Sequence, residues 1–313
     1  MNQAKRQVSQ QLVERLKDIA ASIGNTPLLP IKKAFQKKNI QLFAKLEWQQ
    51  LGDSVKARAA FNIIKNAVNQ GFIHENIRLL DATSGNTGIA YASIGAALGI
   101  KVSLCLPENA SAERKQILKA LGVEIIYTSR FDGTDGSQAK AKELAAIYPN
   151  KYFYADQYAN ENNWKAHFET TAVEIFEQTN QKITHFATGL GTTGTFVGTS
   201  RKLKLLKPNI RLISFQPNSA LHGMEGWKHL ETAKVPKIYD SSLAHQNLEV
   251  DTMETYDMIR HFAQTEGILL SPSAAANLVG AIQVAEQIEQ GTIVTIFPDN
   301  AAKYSEVLKH IFS

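Results

Sequence analysis

The chain has 313 residues, 44% of them hydrophobic and 20% charged, an ordinary composition for a globular protein of one or two domains. A net charge of +5 and a pI near 9.1 invite a nucleic-acid reading. Lys and Arg are spread among Asp and Glu, however, with no basic block and no aromatic-basic interleaving, which argues against it. The single cysteine, Cys105, excludes an intrachain disulfide and a multi-cysteine metal site, and its setting KVSLCLP reads as a buried core thiol.

In chain order, the opening stretch MNQAKRQVSQQLVERLKDIAASIG reads as an amphipathic helix with Val8, Leu12, Leu16 and Ile19 on one face. It lacks the apolar run of a secretory signal. Its apolar face packs on its own domain or serves a subunit contact. No apolar stretch approaches the ~20 residues that cross a bilayer, so the expectation is a cytoplasmic protein without membrane contact. From residue 41 onward, β-rich runs alternate with helical patterns. The strand candidates are QLFAKLEW, IRLLDAT, KVSLCLP, VEIIYT, YFYADQ, ITHFATG, RLISFQP, ILLSP and TIVTIFPD. Amphipathic stretches lie between most of them, such as SAERKQILKALG, where Ser111 can cap and Gly122 can terminate. Near-continuous apolar strands separated by helices predict an α/β protein with parallel sheet buried on both faces and right-handed crossovers. The alternation breaks from Asn218 to about Asn247, a candidate mobile or substrate-facing loop.

In such folds ligands bind beyond the carboxyl ends of the strands, so the turns there are informative. In ATSGNTGIA, Thr83, Ser84, Asn86 and Thr87 surround Gly85 and Gly88 just before a helix, which suits a carboxylate or phosphate. In ATGLGTTGTFVG, Gly189, Gly191 and Gly194 leave room for backbone approach, and Thr192, Thr193 and Thr195 add hydroxyls at another helix start. That is a phosphate cradle by composition and position. It matches neither a Walker A loop nor the dinucleotide fingerprint, whose third glycine falls elsewhere, so a small phosphorylated cofactor is favoured over a nucleotide. In ILLSPSAAAN, Ser271 and Ser273 precede a small-residue run, and taken alone they are routine helix caps.

Lys56 completes the set. It sits in LGDSVKARAA, where a turn gives way to a helical pattern, and a protonated amine there faces the positive end of the helix dipole. Pyridoxal 5'-phosphate needs a lysine for its Schiff base, an anion cradle for its phosphate and a partner for its ring nitrogen. A helix start favours the free amine that must act as nucleophile and then base.

From IGNTPL at residue 23 onward, the chain resembles the fold-type II pyridoxal-phosphate enzymes, specifically the cysteine synthase (O-acetylserine or O-phosphoserine sulfhydrylase) family, nearest its B-type branch. The segments that carry the resemblance are IGNTPL, the lysine segment, TSGNTGIA, LPENASAERKQILKALG, QYAN with HFETTAVEI, GLGTTGT and EGILLSPSAAA. The resemblance implies two three-layer αβα domains with mostly parallel twisted sheets and the cofactor in the cleft between them. Residues 49–150 would form the smaller domain, and 1–48 with 151–313 the larger, cofactor-binding one. It makes Lys56 the Schiff-base lysine, sets Asn86 at the ring hydroxyl and Ser273 at the pyridine nitrogen, and gives the phosphate to Gly191, Thr192, Thr193, Gly194 and Thr195. Thr83, Ser84 and Thr87, with Gln157, would hold the substrate carboxylate. No metal is implied. The implied reaction is β-replacement through bound aminoacrylate, in which acetate or phosphate leaves and sulfide adds to give cysteine, and the implied assembly is a homodimer.

The chain also departs from the family's usual pattern of Asn-Pro-x-Gly-Ser-x-Lys-Asp-Arg. Gln50 and Leu51 replace Asn-Pro, Asp53 replaces a glycine that tolerates positive φ, and Ala57 replaces the acid after the lysine. Ser271 and Ala275 replace two glycines around Ser273, and Lys303 replaces an arginine. These changes leave three readings: a working cysteine synthase, an enzyme with another nucleophile such as the amine of diaminopropionate-type synthesis, or a non-catalytic binding or regulatory relative. His222 and His229 lack metal-site spacing and read as loop residues, although His222 could meet substrate; Trp227 reads as packing. Gln157 and Asn160 could otherwise simply cap a helix.

Overall fold

A computed structural model describes residues 10–83 and 85–313, so Val8 and Ser84 lie outside the described residues. In chain order the elements are α1 (Gln10–Ala20), β1 (Leu28–Pro30), β2 (Ile40–Leu46), α2 (Lys56–Asn69), β3 (Arg78–Ala82), α3 (Asn86–Leu98), β4 (Val102–Pro107), α4 (Ala112–Ala120), β5 (Glu124–Thr128), α5 (Gly133–Ile147) and β6 (Tyr152–Tyr154). There follow α6 (Glu161–Ala166), a π-helical turn (His167–Thr171), α7 (Ala172–Gln178), β7 (His185–Gly189), α8 (Gly194–Leu206), β8 (Arg211–Pro217), β9 (Gln246–Val250), α9 (Thr252–Glu266), α10 (Pro272–Glu286), β10 (Gly291–Phe297) and α11 (Ser305–Phe312).

These elements form two compact units, residues 1–23 with 50–163 and residues 24–49 with 164–313. The first unit is built on a four-stranded, wholly parallel sheet of order β5-β4-β3-β6. Alternate residues serve opposite faces, as a buried strand requires. Leu79, Val102, Leu104 and Leu106 join a core with α2 and α3, while Leu80, Ala82 and Cys105 meet Ala141 of α5 on the other face. That gives helix, sheet and helix layers. The apolar stripe of α1 joins the first of these cores through Leu16, with Leu12 and Ile19 beside it. Packing on its own unit thus accounts for that stripe.

The second unit carries a six-stranded sheet of order β1-β2-β10-β7-β8-β9, parallel except for the antiparallel β1–β2 pair. Leu42, Ala44, Ile213, Phe215, Ile293 and Phe297 share one core with α9 and α10. The smaller-domain boundaries expected at 49 and 150 differ from these units. Strand β6 pairs with β3, and α1 packs on α2 and α3, so residues 151–163 and the helix before Ile23 group with the first sheet.

Two details depart from the sequence reading. ILLSP is not a strand: only Leu270 bridges, to Asn300, and the serine begins a helix instead. Strands β1 and β9 went unpredicted, the latter because QNLEV is a polar edge. Ser111 does precede α4 and Gly122 does end it at φ +77, although the Ser111 side chain makes no cap hydrogen bond. The irregular stretch after β8 is pinned by buried Met224, Trp227, Ile238 and Leu243.

Candidate active site

In the first unit, a tight turn delivers the lysine. Gly52 has φ +87 and lies against α3, where a Cβ would come within 3.2 Å of Ala90 Cα. Asp53 adopts φ +48, the left-handed conformation that a glycine would take freely, and its N–H bonds Gln50 O at 3.0 Å. Ser54 is fully buried and its hydroxyl makes no hydrogen bond among the described residues. Lys56 is then the first residue of α2, half-buried, in a first turn that holds no acid. Ala57 and Arg58 behind it are buried.

Beyond β3, Thr83 accepts the Gly85 N–H at 3.3 Å, which leaves its own proton free to donate. Gly85 caps α3, whose first residue is Asn86. Thr87 donates to Gln157 Oε1 at 2.7 Å, and Gln157 Nε2 donates to Ala82 O at 3.3 Å. The structure therefore joins Thr87 and Gln157 in one buried network, with Thr83 buried at the end of β3 and Asn86 opening the helix. Asn160 is the cap: its side chain accepts from Asn162 N at 3.0 Å. Gln157 is not a cap.

In the second unit, β7 runs into the turn before α8. Thr193 caps the helix at φ +70, and its buried hydroxyl has no hydrogen-bond partner among the described residues. Gly194 opens α8, Thr192 is buried, and the first turn holds no acid. A buried unpaired hydroxyl beside open N–H groups at a helix start suits a phosphate ester, so these residues fit the implied cofactor. Two of the glycines have a different use. A Cβ at Gly191 would lie 2.1 Å from Gly226 O, and one at Gly189 would overlap Trp227. The room beside them is taken by the chain itself. Trp227 stacks on Phe215 at 6.4 Å, the packing role expected of it.

Thr195 Oγ1 meets His167 Nε2 at 3.3 Å, and His167 Nδ1 meets Thr171 Oγ1 at 2.9 Å. His167 is buried at the start of the π-helical turn, a rare geometry that often marks functional sites. Sequence reasoning passed over it, since nothing in HFETT predicts the turn that aims the ring. Asn277 was missed too: its Oδ1 accepts the Gly189 N–H at 2.7 Å and ties α10 to the end of β7.

Ser271 caps α10 by accepting from Ala274 N at 3.2 Å, and it donates to Asp299 O at 3.1 Å. Ser273, buried in the first turn, lies 3.3 Å from Ser271 Oγ. Lys303 is buried, and neighbouring Tyr304 donates to Asp299 Oδ2 at 2.8 Å. His222 accepts from Met224 N, and burial, then the nearby His229, lowers its pKa. Among the described residues no cluster of His, Cys, Asp and Glu could hold a metal, and no helix is long and apolar enough to cross a membrane.

A fold of two α/β units with parallel sheets, an acid-free lysine helix and a phosphate-type cradle defines a class of cofactor-dependent enzymes. Residues 19–299 match the family described as pyridoxal-phosphate dependent enzyme, and the chain belongs to that family. It is 44% identical over 289 residues to a cysteine synthase of Aquifex aeolicus, covering 90% of this chain and 88% of that one. A cysteine synthase B of Pseudomonas aeruginosa is 36% identical, over 91% of this chain and 95% of its own. Among solved structures, a cysteine synthase from Entamoeba histolytica superposes with a TM-score of 0.87 at 31% identity, covering 94% of this chain and 90% of that one.

Proposed function

We propose that this chain is a pyridoxal-phosphate-dependent β-replacement enzyme that makes cysteine from an activated serine and sulfide. The observation that carries this reading is the buried, unpartnered hydroxyl of Thr193 at the acid-free start of α8, which suits a phosphate ester. The relatives named cysteine synthase supply the reaction. When bound, pyridoxal phosphate withdraws electron density from the α-carbon of an amino acid and acidifies its Cα–H.

The chain's own residues supply the rest. Gly191, Thr192, Thr193, Gly194 and Thr195 would hold the phosphate, Asn86 the ring hydroxyl and Ser273 the ring nitrogen. Lys56 Nζ would anchor the cofactor and, once displaced by the substrate amine, take the α-proton. The first turn of its helix holds no acidic residue. Thr83, Ser84, Thr87 and Gln157 would receive the substrate carboxylate. The Thr83 hydroxyl and the first N–H groups of α3 are the donors this reading assigns to it. O-acetylserine and O-phosphoserine are the donors proposed, and a cytoplasmic homodimer is proposed on the family resemblance.

The test is spectroscopic. Purified protein should show the visible absorption band of lysine-bound pyridoxal phosphate, and Lys56→Ala should abolish it. O-acetylserine or O-phosphoserine should shift the band, and sulfide should restore it. A spectrum indifferent to both donors overturns the cysteine reading. A Lys56→Ala spectrum identical to the parent's overturns the role of Lys56. Light scattering at twice the 34.6 kDa chain mass is the check on the dimer.

A further inference from the structure

We propose that Asp81 is a positioning residue for donor binding: its carboxyl group holds Gln157 by the backbone, and Gln157 in turn orients Thr87 and Ala82 in the turn that receives the amino-acid carboxylate. This rests on reading residues 83–87 and Gln157 as the carboxylate receptor. Asp81 is the second-last residue of β3 and is 1% exposed. One carboxyl oxygen accepts from Ala82 N at 2.8 Å and the other from Gln157 N at 3.4 Å. Gln157 is held from a further side by Asn163, which donates to its carbonyl at 2.7 Å.

The groups that face Asp81 are Tyr91 from α3, Cys105 from β4, Tyr154 from β6, and Asp156 and Tyr158 after that strand. Asp135 bears on Tyr158, and Lys140, Glu143 and Glu124 bear on Cys105. Among the described residues, the groups that bear most on Asp81 include no cation. A buried carboxylate without a counter-ion is costly and is a candidate for a functional role. Burial, with Asp156 adding to it, pushes the pKa of Asp81 up to about 7, while the Ala82 and Gln157 N–H groups and Tyr91 pull the other way.

The two protonation states differ in what they can hold. Ionised Asp81 offers lone pairs to both N–H groups, whereas the protonated acid must turn one oxygen into a donor. The grip on Gln157 should therefore loosen as pH falls through neutrality. Stability runs the opposite way. Because the folded value lies above the ordinary value of 3.8, the folded state holds the extra proton between the two, and stability falls as pH rises across that interval.

Asp81→Asn separates these effects. At pH 8 the variant holoenzyme should melt at a higher temperature than the parent, and the difference should vanish near pH 4. Its KM for O-acetylserine at pH 8 should rise by about threefold to tenfold, with kcat within about twofold, because the amide keeps one acceptor where two are used. The ratio of the variant's KM to the parent's should fall toward one between pH 8 and pH 6, a comparison in which the titration of the donor's own amine cancels. A KM profile equal to the parent's, whatever the melting temperature, overturns the proposal. Should the variant fail to fold, Asp156→Asn decides. Removing the charge that adds to the burial of Asp81 should move the pH at which the KM climbs to a lower value, and an unmoved profile counts against the proposal. Gln157→Ala and Thr87→Ala distinguish the levels. If neither raises the donor KM, the carboxylate reading falls and this inference with it. If both do and Asp81→Asn does not, only the inference falls.

Discussion

Thr193 combines two features that cost the folded protein stability. A β-branched residue at φ +70 stores backbone strain of about 1–3 kcal/mol, and a buried hydroxyl without a partner forgoes about as much again. Nothing described in the chain offsets either, whereas a bound phosphate would satisfy the hydroxyl. Thr193→Ala should therefore leave the cofactor-free protein as stable as the parent, or more stable by about 1 kcal/mol. It should weaken pyridoxal phosphate binding by roughly ten- to a hundredfold, the worth of one hydrogen bond to a charged group. Thermal melts of the cofactor-free protein and a fluorescence titration with pyridoxal phosphate measure the two effects. Unchanged affinity would remove Thr193 from the cradle. The Gly-Thr-Thr-Gly-Thr run was legible from residue types, but the orphaned hydroxyl was not, because it depends on what closes over the turn. Asp53 was more legible: where the family has glycine the chain needs positive φ, and an aspartate supplies it at +48. Asp81 was invisible, since LLD reads as the end of any buried strand until the groups around it are known.

At the scale of elements, the helix ends carry most of the information. Glu266 closes α9, where a negative charge faces the negative end of the dipole, the mirror image of the lysine that opens α2. The structure answers with three donors: Lys32, Lys33 and Ala34 direct their N–H groups at Glu266 Oε1 at 3.0, 2.6 and 3.0 Å. Burial raises the carboxyl's pKa, but the N–H groups of Lys33, Ala34 and Lys32 outweigh it, and the net shift is below the ordinary value of 4.5. A depressed folded value contributes stability above the unfolded pKa and loses it as pH falls through the folded one. Glu266→Gln keeps an acceptor and removes the charge. It should cost about 1 kcal/mol at pH 7, solvent screening the rest, and nothing once the parent is protonated near pH 3. Urea melts at the two pH values test this, and an equal loss at both would show that the charge is irrelevant. The sequence could not foresee the contact, because residues 32–34 and 266 are joined only by tertiary structure. The same limit explains ILLSP. Its apolar residues suit a strand, yet Ser271 and Pro272 begin a helix at once, and capping prevails over β propensity.

For the whole molecule, periodicity revealed parallel strands buried on both faces but not which strands pair. Strand β2 was legible as QLFAKLEW, while its partner β10 lies some 250 residues away, with seven residue pairs from Gly291↔Ile40 to Phe297↔Leu46. That pairing makes the two units unequal in their need for distant chain. Residues 50–163 contain every strand of the four-stranded sheet and both of its helical faces, lacking only α1. Residues 164–313 contain β7 to β10, but without β2 the strand β10 becomes an edge carrying Ile293, Val294, Ile296 and Phe297, all buried in the full chain. A long apolar edge promotes association. The fragment 50–163 should thus unfold cooperatively in urea, at a lower midpoint than the full chain for want of Leu16 and its neighbours. The fragment 164–313 should aggregate or show no cooperative transition. Fusing residues 24–49 to its start through a flexible linker should restore the missing strands and a cooperative melt. If 164–313 alone melts cooperatively as a monomer, β1 and β2 are dispensable, and the six-stranded sheet is organised from β7 and β8 outward.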